Sequence, residues 1–145
     1  MPRYFTLQEA RAALPAVGRD IRDAVQAKAR YQEADNAMQA LGQRILMRGG
    51  IMVDTAAAEA WKKQRESGAQ TLKTTLGRIE SLGVVVKDLD VGLVDFPTLY
   101  RGQEVYLCYR MDEADIDFWH GTDEGFAGRK LIDGEFLSHH TGNSA

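Results

Sequence analysis

Apolar residues recur every three or four positions through the first third of the chain, the spacing of a helix with one buried face. The stripe consists of Leu14, Val17, Ile21, Val25, Met38, Leu41 and Ile45. Thr6-Leu7-Gln8-Glu9 has the form of a capping box, so a helix is expected to begin there and to run to Met47. Pro15 predicts either a kink or a short first helix that ends near Ala13. The glycine pair in Arg48-Gly49-Gly50 is expected to end the long helix.

A second stripe with helical spacing follows, made of Ala58, Trp61, Leu72, Leu76, Ile79 and Leu82. Asp54 suits the N-cap of this helix and Gly83 suits its C-cap. Two long helices with a short connection pack antiparallel, so residues 6–82 are expected to form a helical hairpin. Each stripe is narrow and buries little by itself, so either the rest of the chain or a second copy is expected to cover it, and the second alternative predicts a homodimer through the long helices.

The pattern changes at Gly83 from helical spacing to short β-branched and aromatic runs, which favour strands. The candidate strands are Val84–Val86, Leu89–Phe96, Glu104–Arg110 and Ile116–His120. They predict three or four short, mostly antiparallel strands packed against the hairpin, an α+β fold. Residues 1–136 are expected to form one domain, with its β-rich part at 83–136. Residues 137–145 are small and polar, which predicts a disordered tail.

The composition is that of a soluble globular domain: the chain has 145 residues, of which 44% are hydrophobic and 27% charged. Cys108 is the only cysteine, so no intrachain disulfide can form and a cytoplasmic location is expected. No run approaches the roughly 18 apolar residues of a membrane helix, and the first residues lack the apolar run of a secretory signal. No membrane association is therefore expected.

Charge is distributed unevenly along the chain. Residues 1–82 contain 13 lysines and arginines against 9 acidic residues, a charge of +4, whereas residues 83–145 contain 5 against 12, a charge of −7. A nucleic-acid partner is not expected for the acidic half, because phosphate binding requires basic patches. The acidic half suits a metal cation or a basic partner, and solvated acidic loops explain the same charge.

Candidate chemistry is concentrated in Phe118–Arg129, which reads Phe-Trp-His-Gly-Thr-Asp-Glu-Gly-Phe-Ala-Gly-Arg. His120 and Glu124, with Asp95 from a preceding strand, form a candidate ligand set for zinc, manganese or iron(II). The same histidine beside Asp123 and Glu124 suits general acid–base catalysis, so these three are the candidate catalytic residues. Cys108 is a further candidate nucleophile with His120 as its base, but its position in mid-strand favours a buried core residue.

An anion site is the third interpretation of the motif. Arg110 and Arg129 carry guanidinium groups that bind a carboxylate or phosphate, and with Asp95 and Trp119 they form the candidate ligand-binding set for a small anionic ligand. The spacings of a P-loop and of a dinucleotide-binding loop are both absent.

A structural interpretation of the motif, and with it a second class of function, remains beside these sites. The acidic residues of the motif can accept from backbone amides in turns, the arginines can pair internally, and His120 can donate to a buried carbonyl. The protein is then an interaction module whose hairpin docks another protein, with the β-rich part as a structural cap. A concave pocket in which the polar residues converge would favour a ligand or metal site instead.

Several segments resemble the bacterial and archaeal family of uncharacterised proteins called DUF2203. They are Tyr4–Leu7 with Glu9-Ala10-Arg11 and Pro15, Leu82–Leu89, Gly92–Pro97, Glu104–Arg110, Phe118–Gly121 and Asp123–Arg129. Members of the family usually carry tryptophan where this chain has Tyr109, so an aromatic residue is kept. The resemblance spans nearly the whole chain. It implies a common domain and the same candidate site, and it brings no established activity.

Overall fold

A computed structural model describes residues 2–47 and 55–143, which form an α+β fold. Two long helices precede a six-stranded antiparallel sheet, and one short helix lies near the end of the chain. The helices are α1 (Leu7–Met47), α2 (Thr55–Ser81) and α3 (Gly134–His139). The strands are β1 (Val85–Asp88), β2 (Leu93–Tyr100), β3 (Gln103–Arg110), β4 (Phe118–Gly121), β5 (Lys130–Leu131) and β6 (His140–Thr141).

Helix α1 confirms the expected capping box at its start. The amide of Glu9 donates to Thr6 Oγ1 at 3.1 Å, and the amide of Thr6 donates to Glu9 Oε1 at 2.9 Å. The helix then continues through Pro15, so the alternative in which a first helix ends near Ala13 is wrong. Pro15 lies on the exposed face, where water can replace the hydrogen bond that proline removes.

Helices α1 and α2 pack antiparallel, as expected for a hairpin. Arg78 Nη2 lies 3.0 Å from Asp20 Oδ1, and Arg65 Nη1 lies 3.2 Å from Asp35 Oδ1. Asp35, the later of the two α1 residues, pairs with Arg65, the earlier of the two α2 residues. The two helices therefore run in opposite directions. After α2, Gly83 has a φ of 88°, the left-handed conformation expected of a C-cap glycine. The predicted stop at 48–50 and the predicted cap Asp54 lie outside the described residues.

Gly68 lies against α1 with little room for a side chain, and it provides a first test of the packing. A Cβ atom there would lie 3.0 Å from the Ala27 carbonyl oxygen and 3.2 Å from the Tyr31 amide nitrogen, whereas one at Gly77 would meet nothing within 4 Å. Alanine favours a helix over glycine by about 0.5–1 kcal/mol, so Gly77→Ala is expected to stabilise the protein by that amount. Overpacking costs about 1–3 kcal/mol, so Gly68→Ala is expected to destabilise it despite the same gain in propensity.

Urea unfolding of the two variants measures this difference directly. Because both glycines lie in α2, their helix propensities cancel and the comparison isolates the contact with α1. Equal stabilities for Gly68→Ala and Gly77→Ala would show that the helices are not as close as described.

The sheet has the order β1-β2-β3-β4-β5, and β6 pairs with the far end of β2. Four strands have at least four residues, in agreement with the expected three or four, and two further strands have two residues each. The inner face of the sheet carries Val94, Phe96, Leu107 and Tyr109, which join Val17, Ile21 and Ile79 of the helices in one buried core. Because side chains alternate along a strand, the residues between these inner positions lie on the opposite side, called here the outer face.

Residues 137–143 are part of the fold, in contrast to the disordered tail expected over 137–145, of which the last two residues lie outside the described part of the chain. Asp133 caps α3 by accepting from the Phe136 amide at 2.9 Å, and Phe136 is buried against the inner face. Residues 140–143, called here the C-terminal clasp, then bond to the beginning of the chain. The clasp contains β6, and Asn143 Oδ1 accepts from the Tyr4 amide at 2.7 Å. Polar composition alone gave no signal for these contacts.

A histidine of the clasp also completes the N-terminus of α1. His140 Nδ1 lies 2.9 Å from the Leu137 carbonyl oxygen, so this nitrogen carries the hydrogen and donates. Nε2 then accepts from the Leu7 amide at 3.0 Å, which is one of the amides that a helix leaves without an internal partner.

Within residues 2–47 and 55–143, no helix is both long enough and apolar enough to cross a membrane.

Candidate metal centre

Three neighbouring strands bring Asp95, Cys108 and His120 together on the outer face. Asp95 of β2 lies directly opposite Cys108 of β3. His120 of β4 lies opposite Tyr106, which is two residues from Cys108 and therefore on the same face. One ligand atom from each of Asp95, Cys108 and His120 lies within 4.8 Å of the other two. Among the described residues, this is the one cluster of histidine, cysteine and carboxylate side chains that could hold a metal ion.

All three side chains are buried, although they lie on the side of the sheet opposite the core. Asp95 and Cys108 have no exposed surface, and His120 is 3% exposed. Tyr106 covers one side of the cluster, with its ring centroid 5.5 Å from that of His120. Lys87 Nζ in turn lies 5.0 Å from the centre of the Tyr106 ring. Buried polar groups of this kind are costly unless they are paired or hold a metal.

The hydrogen bonds of His120 define its protonation pattern. Nδ1 lies 2.8 Å from the Gly121 carbonyl oxygen, and a carbonyl can only accept, so Nδ1 carries a hydrogen. Nε2 lies 3.1 Å from both Asp95 oxygens. This contact requires one proton between imidazole and carboxylate, or a cation in its place. A histidine that donates through one nitrogen to a backbone carbonyl and presents the other is the usual arrangement of a metal ligand.

Burial shifts the pKa values of the two acidic members of the cluster upward. It raises the pKa of Asp95, and the neighbouring His120 opposes this effect only in part. Burial, followed by the charge of Asp95, raises the pKa of the Cys108 thiol to about 12. The thiol is therefore a poor nucleophile at neutral pH, which argues against the interpretation of Cys108 as a nucleophile activated by His120. A metal ion would have to displace the thiol proton in order to bind sulfur.

Arg129 lies beside the cluster and is nearly enclosed. Its side chain is 9% exposed and its Nη2 lies 2.7 Å from Glu113 Oε1. The guanidinium carbon lies 4.1 Å from the centre of the Phe118 ring and 4.5 Å from that of Phe126, so the group is held between two aromatic faces. Nη2 also donates to the Cys108 carbonyl oxygen at 3.4 Å. The guanidinium charge acts to lower the thiol pKa, but less than burial raises it.

Glu124, which was expected to bind one metal together with His120, is not a member of the buried cluster. Glu124 Oε1 accepts from the Gly121 amide at 2.9 Å and from Lys130 Nζ at 2.6 Å. Lys130 and this amide lower the pKa of Glu124, in that order. The carboxylate thus closes the turn after β4, as the structural interpretation of the motif expected. Asp123, the third candidate catalytic residue, lies exposed in the same turn.

The remaining candidate residues do not converge on one pocket. Arg110 Nε lies 2.5 Å from Asp112 Oδ1, so this arginine is paired locally. Trp119 lies on the inner face, where its ring centroid is 4.8 Å from that of Phe136. Asp95 is the only member of the candidate ligand-binding set that shares the buried cluster with His120.

Sequence comparison places the chain among its relatives. No curated protein and no solved structure matches the sequence. The sequence model of DUF2203, an uncharacterized conserved protein, matches residues 3–132, which include both long helices and strands β1 to β5. The match covers the whole Asp95–Cys108–His120 cluster and agrees with the resemblance read from the motifs. The chain therefore belongs to the DUF2203 family.

Proposed function

We propose that this protein binds a divalent transition-metal ion, with a preference for zinc, through Asp95, Cys108 and His120. The observation that carries the proposal is the orientation of His120. Its Nδ1 is fixed by the Gly121 carbonyl, so Nε2 points at Asp95 within a buried group of three potential ligands. Imidazole, thiolate and carboxylate are the side chains that zinc binds in proteins.

The spacing of the three ligand atoms suits a tetrahedral ion. Zinc lies about 2.0–2.3 Å from nitrogen, oxygen and sulfur ligands, so two ligands of one tetrahedral ion are about 3.5 Å apart. His120 Nε2 and Asp95 Oδ1 are 3.1 Å apart, and no pair in the cluster exceeds 4.8 Å. Side-chain movements of about 1 Å would therefore suffice to bind the ion.

The sulfur ligand narrows the choice of metal. Of the three metals expected from the sequence, manganese prefers oxygen ligands, whereas thiolate favours zinc. Three protein ligands leave one position of a tetrahedral ion for water or a substrate, the arrangement of catalytic rather than structural zinc sites. A metal so bound supplies Lewis acidity and an acidified water. Tyr106 stands at the edge of the cluster, where it would control access to that position.

Metal content and cobalt spectroscopy test the proposal. His139→Gln serves as the parent, because His139 is exposed and could bind metal adventitiously. About one equivalent of zinc is expected in the parent, and almost none in His120→Ala or Cys108→Ala made in it. Cobalt(II) in the parent should give a sulfur-to-metal charge-transfer band that is missing from Cys108→Ala. Equal metal content in the parent and both variants, with circular dichroism showing all three folded, would refute the site.

The homodimer through the long helices and the small anionic ligand stay predictions. The second is weakened by the internal pairing of Arg110 with Asp112 and of Arg129 with Glu113. Sedimentation velocity over a range of protein concentrations would decide the first, because a monomer throughout would contradict it.

A further inference from the structure

Arg129 contains a buried hydrogen-bond donor for which the described residues offer no acceptor. Nε is the only buried side-chain nitrogen or oxygen atom of these residues that lacks a partner. The rest of the guanidinium is well satisfied, since Nη2 bonds both Glu113 oxygens at 2.7 and 2.9 Å. A buried donor without an acceptor costs free energy, and most such groups in proteins find a partner.

The position of Arg129 limits what that partner can be. The side chain is 9% exposed, and the Phe118 and Phe126 rings lie against its guanidinium group. Bulk solvent therefore does not reach Nε, and the acceptor has to be a group inside the protein. Nε and Nη2 belong to one planar fork, so both face the same region.

Cys108 lies in that region. Nη2 donates to its carbonyl oxygen at 3.4 Å, and Phe118, which stacks on the guanidinium, is the cross-strand partner of Cys108. Cross-strand partners point to the same face of a sheet, so the Cys108 sulfur and the Arg129 side chain both lie on the outer face. A neutral thiol is a weak acceptor, whereas a metal-bound thiolate is anionic and accepts strongly.

We propose that Arg129 is a positioning residue of the metal centre, whose Nε–H donates to the sulfur of Cys108 when that sulfur is a metal ligand. The inference rests on the proposed function and adds a residue outside the ligand set. Metal ligands are generally held by such outer hydrogen bonds, which orient them and adjust their strength. The Glu113 carboxylate fixes the guanidinium through Nη2 and leaves Nε for the sulfur.

A purely structural role for Arg129 makes a different prediction. In that case, the ion pair with Glu113 fastens the segment after β4 to the loop between β3 and β4, and either partner matters equally. In the proposed role, the donor at Nε matters, whereas Glu113 bonds Nη2 and not the nitrogen that faces the sulfur. The pair of variants Arg129→Lys and Glu113→Gln separates the two, because lysine keeps the charge but lacks the Nε–H.

The experiment measures cobalt(II) binding to four proteins: wild type, Arg129→Lys, Glu113→Gln and Lys130→Gln. Lys130 is the matched control, because it is the adjacent cation, pairs with Glu124 and lies over the Trp119 ring. Arg129→Lys is expected to bind cobalt about 10- to 100-fold more weakly, the usual effect of losing an outer hydrogen bond. Its sulfur-to-cobalt charge-transfer band should also move to lower energy, since an unbonded thiolate gives up an electron more easily.

Glu113→Gln and Lys130→Gln are expected to keep the wild-type band energy and an affinity close to that of the wild type. A wild-type affinity and band in Arg129→Lys would overturn the role of Arg129 and leave the metal site standing. A loss of tenfold or more in Glu113→Gln would overturn it too, and this result can be read against the wild type even if Arg129→Lys does not fold. If the wild type itself takes up no cobalt, the proposed function fails and the role of Arg129 falls with it.

Discussion

Between about pH 6 and pH 8, the affinity of the protein for Co²⁺ or Zn²⁺ is expected to rise about 100-fold or more. Burial raises the pKa of the Cys108 thiol to about 12, so the thiol holds its proton through this whole range. A metal that binds the thiolate releases that proton, and the affinity then rises tenfold for each pH unit. The proton between His120 and Asp95 is also displaced, which makes the dependence steeper wherever that proton is present.

Titration of the protein with cobalt at several pH values measures the slope. A second estimate comes from calorimetry in buffers with different ionisation enthalpies, which counts the protons released. Cys108→Ala is the control. It should bind the metal more weakly and release one proton fewer, so its affinity should rise less steeply with pH. An affinity independent of pH in the wild type would contradict thiolate ligation.

Asp95→Asn is expected to abolish metal binding and yet to leave the protein as stable as before or more so. An asparagine amide can donate to His120 Nε2, so a hydrogen stays between the two side chains whatever the pH. The substitution also removes a buried carboxyl whose pKa is raised by burial. Avoiding that cost is expected to add about 1 kcal/mol at neutral pH, or about 3 °C in melting temperature for a protein of this size.

The pH dependence of stability should change in the same variant. Because the folded-state pKa of Asp95 is raised, the native protein binds more protons than the unfolded chain, and stability falls as pH rises through that carboxyl's range. Asp95→Asn should lose this part of the dependence. Thermal melts with a chelator present, over a series of pH values, compare the two proteins without bound metal. A large loss of stability in Asp95→Asn would mean that the Asp95–His120 pair is needed for folding rather than for binding.

Much of the fold could be predicted from local pattern. The 3.6-residue period and the Thr6–Glu9 capping box placed α1, and Gly83 marked the end of the hairpin. Both signals depend on residues within a few positions of each other, so they can be recognised in a single sequence. His120 and Asp95 were also identified as candidate metal ligands, because imidazole and carboxylate are side chains that bind zinc, manganese or iron(II).

The position of Cys108 beside Asp95 and His120 could not be inferred in the same way. Leu107, Cys108 and Tyr109 form a continuous apolar run, which indicates burial on both sides of the sheet and not which side each residue faces. Only the pairing of β2 with β3 places Cys108 opposite Asp95. Strand register depends on residues distant in sequence, and a shift of one position would have placed the thiol in the core.

Glu124 shows how one spacing can fit two different local structures. A separation of four residues places His120 and Glu124 on one side of a helix, yet the chain between them is a turn. In the turn, the carboxylate satisfies the Gly121 amide and Lys130. The glycines of the motif already favoured a turn, and in turns acidic side chains commonly accept from nearby amides.

The C-terminal clasp has a consequence for the order in which the protein can form during synthesis. Helix α1 is made before the other helices and the strands of this fold, and Thr6 and Glu9 can cap it locally as soon as they leave the ribosome. The Leu7 amide, however, waits for His140, which is translated 133 residues later. The first turn of α1 is therefore completed by a residue made after strands β1 to β5, and until then it stays open to fraying, to chaperones and to proteases.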